Sequence, residues 1–496
     1  MLSAAIAVPL AGALVLVVGA RGWPSGRPRA FATVVAAVPL ALLVAAWARF
    51  ETGSGRLFQL VEAVPWIPSL GVGYRVGVDG IALAVATTSA LLFTLAVAYP
   101  VDTKGRARQY YGWFLFLEAV SLGLFLALDL LLFYVLFDLS LVGMYFLIGR
   151  WGHGDARQAA LKFFLFTLAG SLVMLLGILG LVLATDPLTF DMASLIRQQP
   201  LAGAGARAGL VLLGLTFGLA VKTPLVPVHT WLPPAHVDAP GPASAILAGV
   251  LLKMGTYGLI RIPYAMMRET FQRYAVVLAV VAVVSILYGA LVALGQGNLK
   301  RRIAYTSVNH MGYTVLGIAA AGSLLGGEEA ARRLALTGAT VEMVAHGLIT
   351  GSLFLIAGSF WQRAQEYDLD AYGGLAGPAP ALTGATVVAA FASLGLPGLA
   401  GFVAEFQIFV GTFSVYPVLA GIALLGVLIT AALFLQLLQK LFFGELPRRW
   451  SSFADLVPAE AVALAVALAV VVLIGVYPRW LLAVIDSAST ILVGAG

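Results

Sequence analysis

Several charged side chains fall inside long apolar runs of the sequence, where an ionisable group costs about 3 kcal/mol on membrane-insertion scales and therefore demands a partner, water or a role, and four of them stand out. Asp138 lies within Leu130–Tyr145, Lys222 beside Pro224, Lys253 directly after Ala245–Leu252, and Glu405 beyond Gly398 and Gly401. Acids stand at the two ends of this series and lysines between them. A lysine in a partly hydrated apolar setting gives up its proton more easily than in water, and a nearby carboxylate opposes that tendency. The combination makes a proton-loading site, so the series reads as a path for proton conduction. Ion pairs that merely pin helices are the plainer reading, with Lys162 and other less central groups reaching out to the interface. For two lysines at midspan that reading is weaker, because apolar side chains would pack helices at less cost.

Histidine titrates near neutral pH and passes a proton between its two nitrogens. His310, in SVNHMG (307–312), and His346, within an apolar span, lie between Lys253 and Glu405 in chain order and are the candidate relays. His229 and His236 flank TWLPPA (230–235), a Pro-rich stretch expected to be an exit or plain surface. Their spacing, with no neighbouring carboxylates, predicts no metal site.

Such groups must be held by elements that lipid tolerates. The run LAVKTPLVP (219–227) contains two prolines, each removing a backbone donor, and SLGLPGLAGFVAE (393–405) combines glycines and a proline with a carboxylate in the resumed helix. Interrupted spans at matching places in two halves are the sequence sign of an inverted-repeat transporter whose pathway lies at the bilayer midplane. The reading is an all-α polytopic bundle of about fourteen transmembrane helices, with N-terminal flanking helices over 1–112, a first repeat over 113–262 broken near Lys222 and Pro224, an inverted second repeat over 272–441 broken near Pro397, and a C-terminal loop and helix over 442–496.

Composition agrees: of 496 residues 61% are hydrophobic and 10% charged, far from the balance of a water-soluble protein. Long unbroken apolar runs favour helices over a barrel, since every backbone amide must find its partner internally. The opening segment has no basic start and no small-residue cleavage pattern, and it reads as a retained first helix. With no cysteine, the chain has no disulfide, thiolate-held iron–sulfur cluster or Cys-type zinc site. No strand–turn–helix phosphate cradle is present, so no bound cofactor is expected. The net charge of +6 is assigned to topology-setting loops rather than to nucleic acid. Basic loops at Arg21–Arg29, Lys104–Arg108, Arg150–Arg157, Lys300–Arg302 and Lys440–Arg449 face the cytoplasm on this reading, with both termini outside.

The segments LLFYVLFD (131–138), LKFFLFTLAGS (161–171), VKTPLVPVHTWLP (221–233), LAGVLLKMGTYGL (247–259), IAYTSVNHMG (303–312) and GLPGLAGFVAEF (395–406) resemble the antiporter-like membrane subunits of respiratory complex I, most closely subunit M of NADH-quinone oxidoreductase, the counterpart of mitochondrial subunit 4. The resemblance spans nearly the whole chain. It implies that Asp138 is the fifth-helix acid, Lys222 the lysine of the first broken helix, Lys253 the central lysine and Glu405 the acid of the second broken helix. Subunits L and N and the paralogous sodium/proton antiporter subunits resemble one another in having lysine in place of Glu405. The resemblance further implies a multi-pass subunit of the inner (plasma) membrane, neighbouring antiporter-like subunits as partners, and NADH, FMN, iron–sulfur clusters and quinone in partner subunits. Two residues depart from the pattern. Asp138 stands where glutamate is usual, which retracts the carboxylate and makes a water-bridged contact with Lys222 an alternative to a direct pair. Glu342 stands where a neutral polar residue is common. The alternative readings are a cation/proton antiporter subunit, a membrane-bound hydrogenase-type module and a non-conducting scaffold.

Overall fold

The computed structural model describes residues 1–494 except Arg21, Ser25 and Leu324, so Arg21 of the first basic loop lies outside the described residues. Helices account for most of the described residues, as backbone in an apolar solvent requires. In order they are α1 (Leu2–Leu14), extended by a π-helical turn Val15–Gly19, α2 (Arg27–Trp47), α3 (Gly80–Ala98), α4 (Ala107–Leu126), α5 (Leu130–Trp151), α6 (Ala156–Val182), α7 (Met192–Gln198), α8 (Gly205–Lys222), α9 (Leu232–Asp238), α10 (Gly241–Ile246), α11 (Leu252–Leu259), α12 (Arg268–Leu294), α13 (Leu299–Ala321), α14 (Glu329–Ala364), α15 (Pro380–Ser393), α16 (Ala400–Val415), α17 (Pro417–Phe442), α18 (Pro458–Val476) and α19 (Arg479–Gly494). A π-helical turn, Leu247–Leu251, joins α10 to α11, and a second, Ile260–Tyr264, follows α11, so Gly241–Tyr264 crosses as one irregular span.

Eleven of these stretches are long and apolar enough to cross a membrane. Helices α4 and α13, of 20 and 23 residues, have the length but are more polar, and α15 and α16 are shorter. Length and apolarity alone therefore do not reach the fourteen spans expected. The chain is a multi-pass membrane protein in which α4, α5, α6, α8 and Gly241–Tyr264 form one set of five spans and α12, α13, α14, α15/α16 and α17 a second. The fourth span of each set is the broken one.

One element departs from the all-helical expectation. Strands β1 (Gln59–Ile67) and β2 (Val72–Val78) form an antiparallel hairpin between α2 and α3. Pro65 and Pro68 disfavour helix here, while Val61, Val64 and Trp66 remain exposed. The hairpin fixes helix starts: Asp129, the N-cap of α5, accepts from Gly73 N and pairs with Arg75 at 3.0 Å. Asp79, at the end of β2, caps α3 and holds the fully buried Arg261 at 2.6 Å.

Burial separates the spans by task. The apolar windows of Gly241–Tyr264 and α14 are wholly buried, whereas those of α2, α17 and α18 are mostly outward-facing. The two wholly buried spans carry Lys253, Glu342 and His346, so these charges lie inside protein rather than in lipid, where they would be far more costly.

Candidate functional site

Helix α8 ends at Lys222 because Pro224 and Pro227 follow it. The freed backbone groups are satisfied locally: Leu225 N donates to Ala220 O, Trp231 Nε1 to Val221 O at 2.9 Å, and Val226 N to Ser285 Oγ at 3.0 Å. Gly255 of α11 packs against this break, and a Cβ there would lie 2.3 Å from Thr223 Oγ, so only glycine permits the approach. Lys222 is buried, and its ammonium donates to Ser140 Oγ at 3.0 Å and faces the rings of Phe137 and Phe163 at 4.9 and 5.9 Å. Among the described residues no carboxylate oxygen lies within 4.0 Å of it. Asp138 is two positions from Ser140 on α5, and its Oδ1 is buried without a hydrogen-bond partner. The direct Asp138–Lys222 pair is therefore not formed; a serine hydroxyl takes that place.

The second cluster is a close-packed buried series, with no hydrogen bond between its two histidines among the described residues. The π-helical turn Leu247–Leu251 breaks the regular ladder, and Lys253 Nζ donates to Ala248 O at 2.6 Å. The same ammonium lies 2.6 Å from His346 Nδ1. The rings of His346 and His310 are 5.5 Å apart, centroid to centroid. His310 Nδ1 lies 3.1 Å from Glu342 Oε1 and 3.9 Å from Glu405 Oε1, while Nε2 lies 3.1 Å from Ser393 Oγ. Glu405 reaches this point because Gly395, at a φ of 77°, leaves room for it; a Cβ on Gly395 would lie 2.4 Å from Glu405 Oε2. The structure thus gathers Lys253, His346, His310 and Glu405 into one buried series. Among the described residues no hydrogen bond joins it to Lys222.

Four residues are placed differently from the sequence reading, and a fifth was missed. Lys300 and Arg302 are not loop residues: Asn298 caps α13 by accepting from Arg301 N, which puts both in the first turn, where they are buried. Lys300 Nζ donates to His236 O at 2.9 Å, to Ser244 Oγ at 3.0 Å and to Ala239 O, and Arg302 donates to Leu294 O, Gln296 O and Leu433 O. His236 is not surface either; it is fully buried on α9, stacked on Phe354 at 4.3 Å, with both ring nitrogens unpartnered. His229 is buried edge-on to Tyr288. Glu118 of α4 escaped the sequence reading: it is fully buried, and neither carboxyl oxygen has a partner. Its position within the apolar run Phe114–Leu126 was the available signal.

A transmembrane family model, that of the NADH:quinone oxidoreductase/Mrp antiporter, matches residues 127–430, which include every residue of the two clusters. The chain belongs to this family. It is 36% identical over 489 residues to NAD(P)H-quinone oxidoreductase chain 4 3 of Trichormus variabilis, covering 96% of this chain and 88% of that one. It is 38% identical over 500 residues to NADH-quinone oxidoreductase subunit M of Rhodobacter capsulatus, covering 96% and 93%. Its fold superposes on a chain of respiratory complex I from Thermus thermophilus with bound NADH at a TM-score of 0.87 and 31% identity, over 99% of this chain and all of the other.

Proposed function

We propose that the chain is a proton-translocating membrane subunit of a redox-driven complex of the NADH-quinone oxidoreductase type, with Asp138, Lys222, Lys253 and Glu405 holding the proton in turn and His346 and His310 relaying it. One observation carries the reading: the buried series from Lys253 through His346 and His310 to Glu405, built on two wholly buried spans, α13 and one broken helix. A change of charge near Asp138 acts on Lys222, the proton moves toward Lys253, and the histidines hand it to Glu405 for release. Each handover is pairwise electrostatics, worth roughly 4 kcal/mol between unit charges at about 4 Å in an effective dielectric near 20.

The chain works beside other antiporter-like membrane subunits. The redox chemistry, with NADH, FMN, iron–sulfur clusters and quinone, is assigned to partner subunits, and the absence of cysteine here supports that division for the clusters. The assigned location is the inner (plasma) membrane, with both termini on its outer side.

The test is Lys253→Met in the intact complex, reconstituted in vesicles. Methionine keeps the length and loses the proton, so the complex should assemble while coupled proton uptake falls about tenfold or more, the factor set by 1.4 kcal/mol of lost stabilisation. Uptake at the unmodified rate overturns the reading.

A further inference from the structure

We propose that Glu342 is a proton-holding residue beside His310, so that this end of the path stores its proton on either of two carboxylates that face the same imidazole nitrogen. The inference rests on the function proposed above and adds a residue to it.

Glu342 and His346 are one turn apart on α14 and both face His310 of α13. Glu342 Oε1 lies 3.1 Å from His310 Nδ1, closer than Glu405 Oε1 at 3.9 Å from the same nitrogen. Glu342 is 1% exposed, and its Oε2 has no partner. The other groups at this point are Ser393 on Nε2 and the ring of Tyr313, 5.7 Å from that of His310, whose hydroxyl is unpartnered. Among the described residues Glu342 has no arginine or lysine within ion-pair distance.

A carboxylate that served only to hold His310 would be an expensive choice, since a second buried acid faces the same nitrogen. One imidazole N–H is donated to one acceptor at a time, and the other acid carries an uncompensated charge unless it holds a proton. In the assigned step the Nδ1–H bond of a protonated His310 breaks and an O–H bond forms at Glu342 Oε1. Imidazolium becomes neutral imidazole, carboxylate becomes carboxylic acid, and no electron moves. The proton returns to Nδ1 and passes to Glu405 once that acid has released its own. Glu342 thereby lets the path reload while Glu405 is still occupied.

Glu342→Gln preserves the shape and a hydrogen-bond acceptor for His310 but cannot hold a proton. In the intact complex in vesicles, proton uptake should fall roughly tenfold, Glu342→Asp should recover part of it, and the redox-induced infrared difference spectrum should lose a carboxylic-acid carbonyl band. Unmodified uptake with the band retained in Glu342→Gln overturns the assignment. Where that variant fails to assemble, the band is read in Glu342→Asp, and an unshifted band overturns it equally. Lys253→Met separates the two levels: if it abolishes uptake while Glu342→Gln does not, Glu342 loses its role and the path stands; if neither lowers uptake, the path itself falls.

Discussion

Lys222 is held by a hydroxyl and two rings at a helix end, and that arrangement sets what its neighbours do. Ser140 Oγ donates to Phe137 O at 2.6 Å and accepts from the Lys222 ammonium at 3.0 Å, so the hydroxyl is oriented by its own helix before the lysine reaches it. Ser140→Ala removes the direct acceptor from a buried charge, a cost of about 1–3 kcal/mol. Coupled proton uptake in the assembled complex should drop by about tenfold. Asp138 stands off from the ammonium, and on the proposed function it acts through its charge rather than through contact. Asp138→Glu should therefore be tolerated and Asp138→Asn should cripple uptake at an unchanged uncoupled electron-transfer rate; an Asn variant that pumps normally removes the acid from the mechanism. Lys222, Lys253 and Glu405 were legible in the sequence because a charge in an apolar run is conspicuous. Ser140 was not, since a serine in a membrane helix is cheap and common.

Two departures from regular helix place the charges. The π-helical turn Leu247–Leu251 presents Ala248 O to Lys253, and nothing in its residues, which include no proline, announces it. The second break was legible, because Gly395, Pro397 and Gly398 cannot all continue a helix. What the sequence withheld was that Gly395 does two jobs. Gly395→Ala would both strain a φ of 77° and drive a methyl to within 2.4 Å of Glu405 Oε2, whereas Gly398→Ala at a φ of 92° meets open space. Both variants bear a backbone cost of about 1–2 kcal/mol. Only Gly395→Ala should also displace Glu405 and cut coupled proton uptake several-fold. Equal uptake in the two would show that the close approach of Glu405 to Gly395 is immaterial.

Across the whole molecule, α14 is the common wall: it brings Glu342 and His346 to His310 and, near its other end, Ser359 and Arg363 to α18. Arg363 pairs with the buried Glu460 through Nη1 at 3.0 Å and Nη2 at 2.5 Å, and Ser359 Oγ donates to the same carboxylate at 2.9 Å. Arg363 also donates to Ala454 O and Asp455 O, which ties the loop before α18 to the same point. Removing one partner of such a pair strands the other, at about 3–5 kcal/mol. Glu460→Ala should accordingly lower the thermal unfolding midpoint of the detergent-solubilised complex while leaving pumping intact well below that midpoint. Loss of pumping without loss of thermal stability would place this pair in the path instead.

The sequence by itself determined the solvent, the element type and the places where helices must break, because apolar length, missing backbone donors and positive-φ residues are local properties. It also marked Lys222, Lys253 and Glu405, whose burial is costly wherever they end up, and set His310 and His346 between two of them. It did not reveal the β1–β2 hairpin, whose pairing depends on partners outside the segment, nor that Lys300 and His236 are buried, since their Pro-rich and basic surroundings look like surface until α10, α13 and α14 close over them. Tertiary structure alone decided that Lys222 meets Ser140 rather than Asp138, and that one nitrogen of His310 faces both Glu342 and Glu405. Those contacts join residues 32 to 95 positions apart in the chain, and spacing carries no information about distance once helices from different spans pack side by side.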